Sequence, residues 1–127
     1  VPENIRRYST IAFDLNVLSR EITDFSRSVF LFHSPPFETN LDKMIGRDIT
    51  GNKVLVSTGS IAIRRFIEKY RPLVTLHGHI HESSALTGSW QDSIGDTKCY
   101  SAAYEGNELA IIHIDTESLE YSYRELL

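Results

Sequence analysis

The sequence has little cysteine, no long apolar run and no excess of positive charge. Its single cysteine, Cys99, can form no disulfide within the chain, which favours a reducing compartment and a cytoplasmic location. No apolar segment approaches the roughly 20 residues that a transmembrane helix needs, so we expect no membrane partner. Lys and Arg total 13 against 17 Asp and Glu, a net charge of -4. Nonspecific nucleic-acid binding is therefore not expected, because it needs basic surface to displace counterions.

Length and composition are typical of one globular domain. The chain has 127 residues, of which 41% are hydrophobic. A domain of this size buries roughly two-thirds of the surface of its unfolded chain. We therefore treat residues 1–127 as a single domain segment of the α/β class.

Two short apolar runs flank the clearest helical pattern. Ser28–Phe32 and Leu73–Leu76 are bulky and almost continuously apolar, which is typical of parallel strands that are covered on both faces. Between them, Ser60 is a candidate N-cap, apolar positions repeat at helical spacing up to Tyr70, and Pro72 ends the segment. The pattern predicts a βαβ unit with a right-handed crossover, in which the two strands lie parallel and close together.

The rest of the chain predicts a mixed sheet with antiparallel strands at its C-terminal end. The short connections between the last strands favour hairpins. The predicted elements are a strand at Ser9–Phe13, a helix from Asn16 with Leu18, Ile22 and Phe25 on one face, a long polar loop at Phe37–Ser57, a polar stretch at Ser83–Asp96, and strands at Thr97–Tyr104, Leu109–Ile114 and Leu119–Tyr123.

Four of the five histidines stand directly after the two apolar strands. His33 follows the first strand, and His77, His79 and His81 follow the second. Parallel neighbours bring their carboxyl ends to one edge of a sheet, where open α/β sheets bind ligands. Gly78 allows the sharp bend that would let neighbouring histidines share a centre. Because neutral imidazole is a common ligand of zinc, iron, manganese and nickel, this edge is a candidate metal site.

Three other side chains have simpler interpretations. His113 lies in mid-strand among aliphatic residues, and we expect it to be structural. Cys99 is expected to be a small apolar filler. Arg47, in the long polar loop, is a candidate substrate-binding residue because guanidinium makes bidentate contacts with phosphate. A solvated loop arginine is the alternative, and it stays open.

Two segments resemble motifs of the calcineurin-like metallophosphoesterases. His33–Pro36 resembles the His-x-Pro-Pro segment of that family, and Gly78–His81 resembles its Gly-His-x-His signature. The resemblance, closest to the archaeal and bacterial branch, covers the chain from about Val29 to Ile114. It implies an α/β sandwich that hydrolyses phosphomonoesters or phosphodiesters with two divalent metal ions, which are Mn, Fe, Zn or Ni.

The resemblance also gives the histidines separate roles. It implies that His33 and His79 bind one metal ion and that His81 binds the other. His77 precedes the glycine and does not match a ligand position, so we expect a supporting or structural role. In the same family-like segment, Asp42 and Thr39 are expected to brace the loop.

The remaining motifs of that family are missing from the first part of the chain. No glycine precedes Gly46 and no histidine precedes His33, so the Asp-x-His, Gly-Asp-x-x-Asp and Gly-Asn-His motifs are not found there. We therefore expect this chain to be the C-terminal half of a metallophosphoesterase domain. The N-terminal half would supply the bridging aspartate and the general-acid histidine, which leaves no catalytic residue in this chain.

Two consequences follow for metals and partners. Three imidazoles without a carboxylate hold at most one metal ion, weakly. The buried strands would lack their N-terminal neighbours, and the open apolar edge is expected either to dock on the missing half or to form a homo-oligomer.

Three functions stay open on the sequence. The first is a phosphoesterase that is active on phosphate esters only with its other half. The second is a non-catalytic phosphoesterase-like scaffold that binds a protein partner. The third is a protein that binds one metal ion with the same histidines.

Overall fold

Eleven regular helices and strands make up the part of the chain that the computed structural model describes, residues 10–127. Two single turns of 3-10 helix lie at Phe25–Arg27 and Leu119–Tyr121. The helices and strands are α1 (Ile11–Ser19), β1 (Val29–Leu31), β2 (Lys43–Arg47), β3 (Lys53–Ser57), α2 (Ile61–Tyr70), β4 (Val74–His77), α3 (Ser83–Thr87), β5 (Gln91–Ile94), β6 (Thr97–Ser101), β7 (Ala110–His113) and β8 (Tyr123–Leu126).

A four-stranded mixed sheet in the order β1-β4-β6-β5 organises the fold. Strand β4 pairs in parallel with β1 on one side and with β6 on the other, whereas β5 is antiparallel to β6. The predicted parallel pairing of the two apolar strands is therefore confirmed. Two antiparallel hairpins, β2–β3 and β7–β8, complete the mixed α/β architecture.

Helix α2 packs on one face of the sheet, against Phe30 of β1 and against Ile94 and Cys99 of β5 and β6, and it agrees with the sequence pattern. The Ser60 hydroxyl accepts a hydrogen bond from the Ile63 backbone N–H and caps the first turn. At the other end, Arg71 takes up a left-handed conformation with φ of 51° immediately before Pro72. Ile63 and Ile67 are buried on the inner face.

Aromatic side chains from β1 and α2 interlock in the core beneath this helix. Phe30 lies 5.0 Å from Phe66 in an edge-to-face arrangement, measured between ring centroids. Cys99 is fully buried in the same core, as expected for an apolar filler. Burial raises the pKa of its thiol to about 11, so the group stays protonated.

The beginning of the described chain corrects two predictions. The strand predicted at Ser9–Phe13 is wrong where it is described, because the Thr10 hydroxyl accepts from the Phe13 N–H and starts α1 at once. Ser9 lies outside the described residues. The helix start near Asn16 is also wrong, and α1 ends at Ser19, so Phe25 falls in a separate 3-10 turn. The Thr10 cap determines where α1 begins, and the pattern of apolar residues does not predict such a cap.

The long polar loop predicted at Phe37–Ser57 is wrong, because a hairpin occupies most of it. Asp48 closes the turn by accepting hydrogen bonds from the backbone of Thr50 and Asn52. The bond from the Thr50 hydroxyl is the main cause of the lowered pKa of Asp48. Gly46 lies inside β2, where an added Cβ atom would lie 2.8 Å from the Val56 side chain.

The C-terminal pattern is confirmed only in its last hairpin. Residues 97–101 form β6, which joins the main sheet instead of pairing with β7. Strand β8 begins at Tyr123, later than the predicted strand at Leu119–Tyr123, because a 3-10 turn intervenes. The predicted polar stretch at Ser83–Asp96 contains α3 and β5. The apolar pattern does not indicate them, because α3 has only five residues and three of the four residues of β5 are polar.

The outer edge and one face of β1 are uncovered by the described residues. Strand β1 is the terminal strand of its sheet. Leu31 is 83% exposed and Val29 is 52% exposed, although Phe30 between them packs into the core. The prediction that this strand is covered on both faces is therefore wrong within residues 10–127, and the open apolar edge that was expected is present. No helix in this range is long and apolar enough to cross a bilayer.

We predict that Ile67→Ala destabilises the protein by roughly 2–5 kcal/mol, because it leaves a cavity in the core. Ile67 is fully buried beneath α2. The matched control is Ile61→Ala in the same helix, where the side chain is half exposed and the cost should be about 1 kcal/mol or less. Urea unfolding of both variants measures the difference. Equal losses of stability would contradict the described packing of α2.

Candidate metal site

The parallel pairing of β1 and β4 places two histidine-bearing segments side by side. Leu31 is aligned with Leu76, and just beyond them the Phe32 N–H donates to the Leu76 carbonyl at 2.8 Å. One step further, the Gly78 N–H donates to the His33 carbonyl at 3.1 Å. The sheet thus holds the backbones of His33 and Gly78 together, and His79 follows directly.

The imidazole rings of His33 and His79 come together at this edge. Their centroids lie 4.6 Å apart, and the ring planes are inclined at 51°. Both side chains are exposed. His79 has a φ of 73°, a left-handed conformation that costs a non-glycine residue about 1–3 kcal/mol. Such strain is concentrated at functional sites, so its presence here supports a role for the pair.

The structure does not bring His81 into this pair. His81 is exposed, and no ring contact joins it to His33 or His79. The neighbouring Ile80 points inward and is buried, while its N–H donates to the Gly78 carbonyl. Two of the three proposed ligands are therefore adjacent. Within residues 10–127, no group of three or more His, Cys, Asp or Glu side chains is arranged to hold a metal ion.

His77 turns away from the edge and into the core. One ring nitrogen, Nδ1, lies 2.9 Å from the Ser34 carbonyl oxygen, and the other, Nε2, lies 2.7 Å from the Thr75 hydroxyl. The ring stacks on Phe32 with a centroid distance of 5.4 Å. Burial lowers the pKa of His77 to about 4, so the ring is neutral near pH 7. The expected supporting role of His77 agrees with this position.

The segment after His33 is rigid because buried groups hold it from two sides. Pro35 and Pro36 are fully buried, and the Ser60 N–H donates to the Pro35 carbonyl at 2.9 Å. Gly59 is required beside them, since a Cβ atom there would lie 2.7 Å from the Pro35 carbonyl oxygen. The double proline is thereby fixed against the start of α2.

A buried carboxylate braces the following loop. Asp42 is fully buried, and its oxygens accept hydrogen bonds from the backbone N–H groups of Glu38, Thr39 and Gly59. The Thr39 hydroxyl donates to the Pro36 carbonyl at 2.8 Å. The bracing role expected for Asp42 and Thr39 is therefore present in the structure.

Arg47 and His113 lie in the two hairpins. The exposed Arg47 guanidinium donates to the Gly51 carbonyl at 2.8 Å and so helps to close the β2–β3 turn. His113 Nε2 lies 2.9 Å from a carboxylate oxygen of Glu125, and its ring stacks on Tyr123 at 4.4 Å. Neither side chain has a described contact with the His33–His79 pair.

An open groove borders His33 on the uncovered side of β1. It has a volume of about 480 Å³ and is lined by Leu31, Phe32, His33, His77 and Gly78. Sequence reasoning found the histidines but missed the direct tie between His77 and Ser34. The spacing of residues in the sequence does not predict this hydrogen bond, because the bond depends on the rotamer of a buried ring.

A comparison of the chain with models of protein families, with curated proteins and with solved structures finds no match. The geometry of the strand ends and the motifs that the residues form are therefore the features that indicate a function.

We predict that Asp42→Asn destabilises the protein by about 1–3 kcal/mol. The amide turns one acceptor into a donor that faces backbone N–H groups, which leaves buried hydrogen bonds unmade. Asp96→Asn is the control, since Asp96 is exposed. Chemical unfolding at neutral pH measures both variants. An Asp42→Asn variant as stable as the control would show that the carboxylate does not brace the loop.

We also predict that His77 makes stability fall as the solution is acidified. The pKa of His77 is about 4 in the folded chain and 6.5 in an ordinary histidine, so between these values the unfolded chain binds a proton that the folded chain does not. The contribution of neutral His77 to the free energy of unfolding is fully present above about pH 6.5. It falls by about 3 kcal/mol as the pH decreases towards 4.

The measurement is the free energy of unfolding of wild type and His77→Gln between pH 4 and pH 8. The difference between the two curves should narrow on acidification, because only the wild type loses the His77 contribution. His81→Gln, which changes an exposed histidine, should run parallel to wild type. A constant difference between wild type and His77→Gln would rule out a neutral buried ring.

Proposed function

We propose that this chain provides part of the active site of a metal-dependent phosphoesterase of the calcineurin-like metallophosphoesterase type. The complete enzyme would hydrolyse phosphomonoesters or phosphodiesters with two divalent metal ions. The observation that carries the proposal is the convergence of His33 and His79, 4.6 Å apart between ring centroids, at the carboxyl ends of two parallel strands. This is the edge at which open α/β sheets bind their ligands.

The donor chemistry of the pair suits a divalent transition metal. Imidazole nitrogen is a good ligand for Mn, Fe, Zn and Ni. Both side chains are exposed, so an ion from solution can reach their ring nitrogens, and His33 also lines the open groove beside β1. His33 and His79 would hold one metal ion together, and His81 would bind the second after its side chain moves towards the pair.

The proposal requires carboxylates from another polypeptide segment. Two cations a few ångström apart repel each other unless an anionic ligand bridges them, and the described residues contain no such carboxylate beside the histidines. The uncovered side of β1 lies next to His33, with Leu31 83% exposed. We place the N-terminal half of the domain there, because a strand added at this edge would cover the apolar side chains and bring its own ligands.

The residues of this chain would position the reaction and hold substrate. The pair of metal ions, when bound, would supply an activated water and offset the charge that develops on the phosphate. The double-proline segment fixes His33, and the left-handed backbone fixes His79. The two histidines would thereby determine where the metal charge lies relative to the phosphate. Arg47 is the proposed contact for a phosphate oxygen, which requires its guanidinium to leave the Gly51 carbonyl.

A second candidate function is a non-catalytic scaffold that binds a protein partner. It is favoured by the same observation that limits the first, namely that the described residues contain no complete group of metal ligands. In that case the apolar edge at β1 would be the partner surface and the histidines would have no metal. A cytoplasmic location is part of either proposal.

We predict that the natural polypeptide containing this chain, purified with its other half and loaded with Mn²⁺, hydrolyses p-nitrophenyl phosphate or its bis-ester. His79→Ala should lower kcat/KM by roughly 100-fold or more, because losing an outer partner of a ligand alone costs about 10- to 100-fold. The isolated chain should bind at most one Mn²⁺ weakly and have no activity.

His113→Ala is the matched control, since His113 lies in the C-terminal hairpin and is paired with Glu125. It should retain activity. If neither ester is hydrolysed and metal analysis of the complete protein finds no bound ion, the enzyme proposal is wrong and the scaffold function is favoured. Full activity of His79→Ala would overturn the ligand assignment.

A further inference from the structure

Two successive carbonyl groups of the first strand end are held by two successive residues of the second. The His33 carbonyl accepts from the Gly78 N–H at 3.1 Å, and the Ser34 carbonyl lies 2.9 Å from Nδ1 of His77. The bond from the Phe32 N–H to the Leu76 carbonyl holds the chain before this segment, and the buried Pro35 holds the chain after it. Two bonds to adjacent carbonyls fix both its position and its twist.

The hydrogen bonds of His77 also determine its tautomer. A carbonyl oxygen can only accept, so Nδ1 carries the proton and donates to Ser34. Nε2 of the neutral ring is then an acceptor, and the Thr75 hydroxyl donates to it at 2.7 Å. Thr75 is fully buried in β4, which provides a fixed anchor for the ring in the centre of the sheet.

We infer that His77 is a positioning residue for the His33–His79 pair: by donating from Nδ1 to the Ser34 carbonyl, it holds the His33 imidazole at the distance from His79 that a shared metal ion requires. The inference rests on the proposed function, since it concerns the same metal site. It goes beyond the motif, in which the position of His77 has no ligand role.

A purely structural role would depend on the shape of His77 instead. The ring stacks on Phe32 and fills the core, and any side chain of similar size would then serve as well. The two roles make opposite predictions for a pair of substitutions. Asn places its side-chain amide nitrogen near the place of Nδ1, whereas Gln is the larger and reaches towards the place of Nε2.

The experiment compares His77→Asn with His77→Gln in the 127-residue chain. The first readout is the nuclear Overhauser effect between the rings of His33 and His79. The second is the dissociation constant for Zn²⁺, measured by calorimetry. We expect His77→Asn to keep the inter-ring effect and an affinity close to that of wild type. His77→Gln should lose the effect and bind Zn²⁺ about 10- to 100-fold more weakly.

The opposite order, with Gln equal to or better than Asn in both readouts, would overturn the inference and leave His77 as a core filler. If wild type shows the inter-ring effect and the expected order of variants but binds no Zn²⁺, the positioning of the pair is supported and the proposed metal function is wrong. If wild type lacks the inter-ring effect, the inference is wrong.

A further measurement needs no variant and therefore does not depend on how well the variants fold. Long-range ¹H–¹⁵N spectra of the wild-type imidazoles report which nitrogen of His77 carries the proton. We expect the Nδ1–H form. The Nε2–H form would overturn the inference, because that ring could not donate to the Ser34 carbonyl.

Discussion

The parallel pairing of β1 with β4 is the constraint from which the rest of the structure follows. It aligns the two strands so that they end together, and Phe30 of β1 packs against Phe66 of α2 on the inner face of the sheet. The backbones of His33 and Gly78 are then close enough to bond. Because β1 is the edge strand of its sheet, residues 10–127 leave its outer side uncovered beside His33. Among the described residues, one face of β1 packs against the core through Phe30, whereas Leu31 on the other face is exposed.

The fold could be predicted from the sequence where apolar residues repeat at helical spacing over several turns and residues typical of helix ends stand on either side. Helix α2 has both, with Ser60 at its start and Pro72 just beyond its end, and the parallel strands on either side follow from it. The β2–β3 hairpin could not be predicted in this way. Its strands are short and half exposed, and its turn depends on side-chain bonds of Asp48. Likewise, the Thr10 cap sets where α1 begins, which the spacing of apolar residues does not encode.

From the sequence, the candidate site could be predicted only as a set of histidines at the ends of two strands. The meeting of His33 and His79 follows from the parallel pairing, and the structure agrees with it. The separation of His81 from that pair and the inward turn of His77 could not be predicted, because both depend on backbone angles and rotamers after Gly78. A left-handed φ at His79 redirects the chain in a way that residue spacing alone does not indicate.

The most direct test of this account is a titration of the wild-type chain with Zn²⁺, followed through the ¹⁵N chemical shifts of the histidine rings. The account predicts that ring nitrogens of His33 and His79 shift together, in one binding event, while those of His113 stay unchanged. The ¹⁵N chemical shift of a ring nitrogen that binds the metal changes strongly, because its lone pair forms the bond to the metal. Shifts confined to His113, or no shift in any ring, would contradict the claim that the two strand ends form part of a metal site.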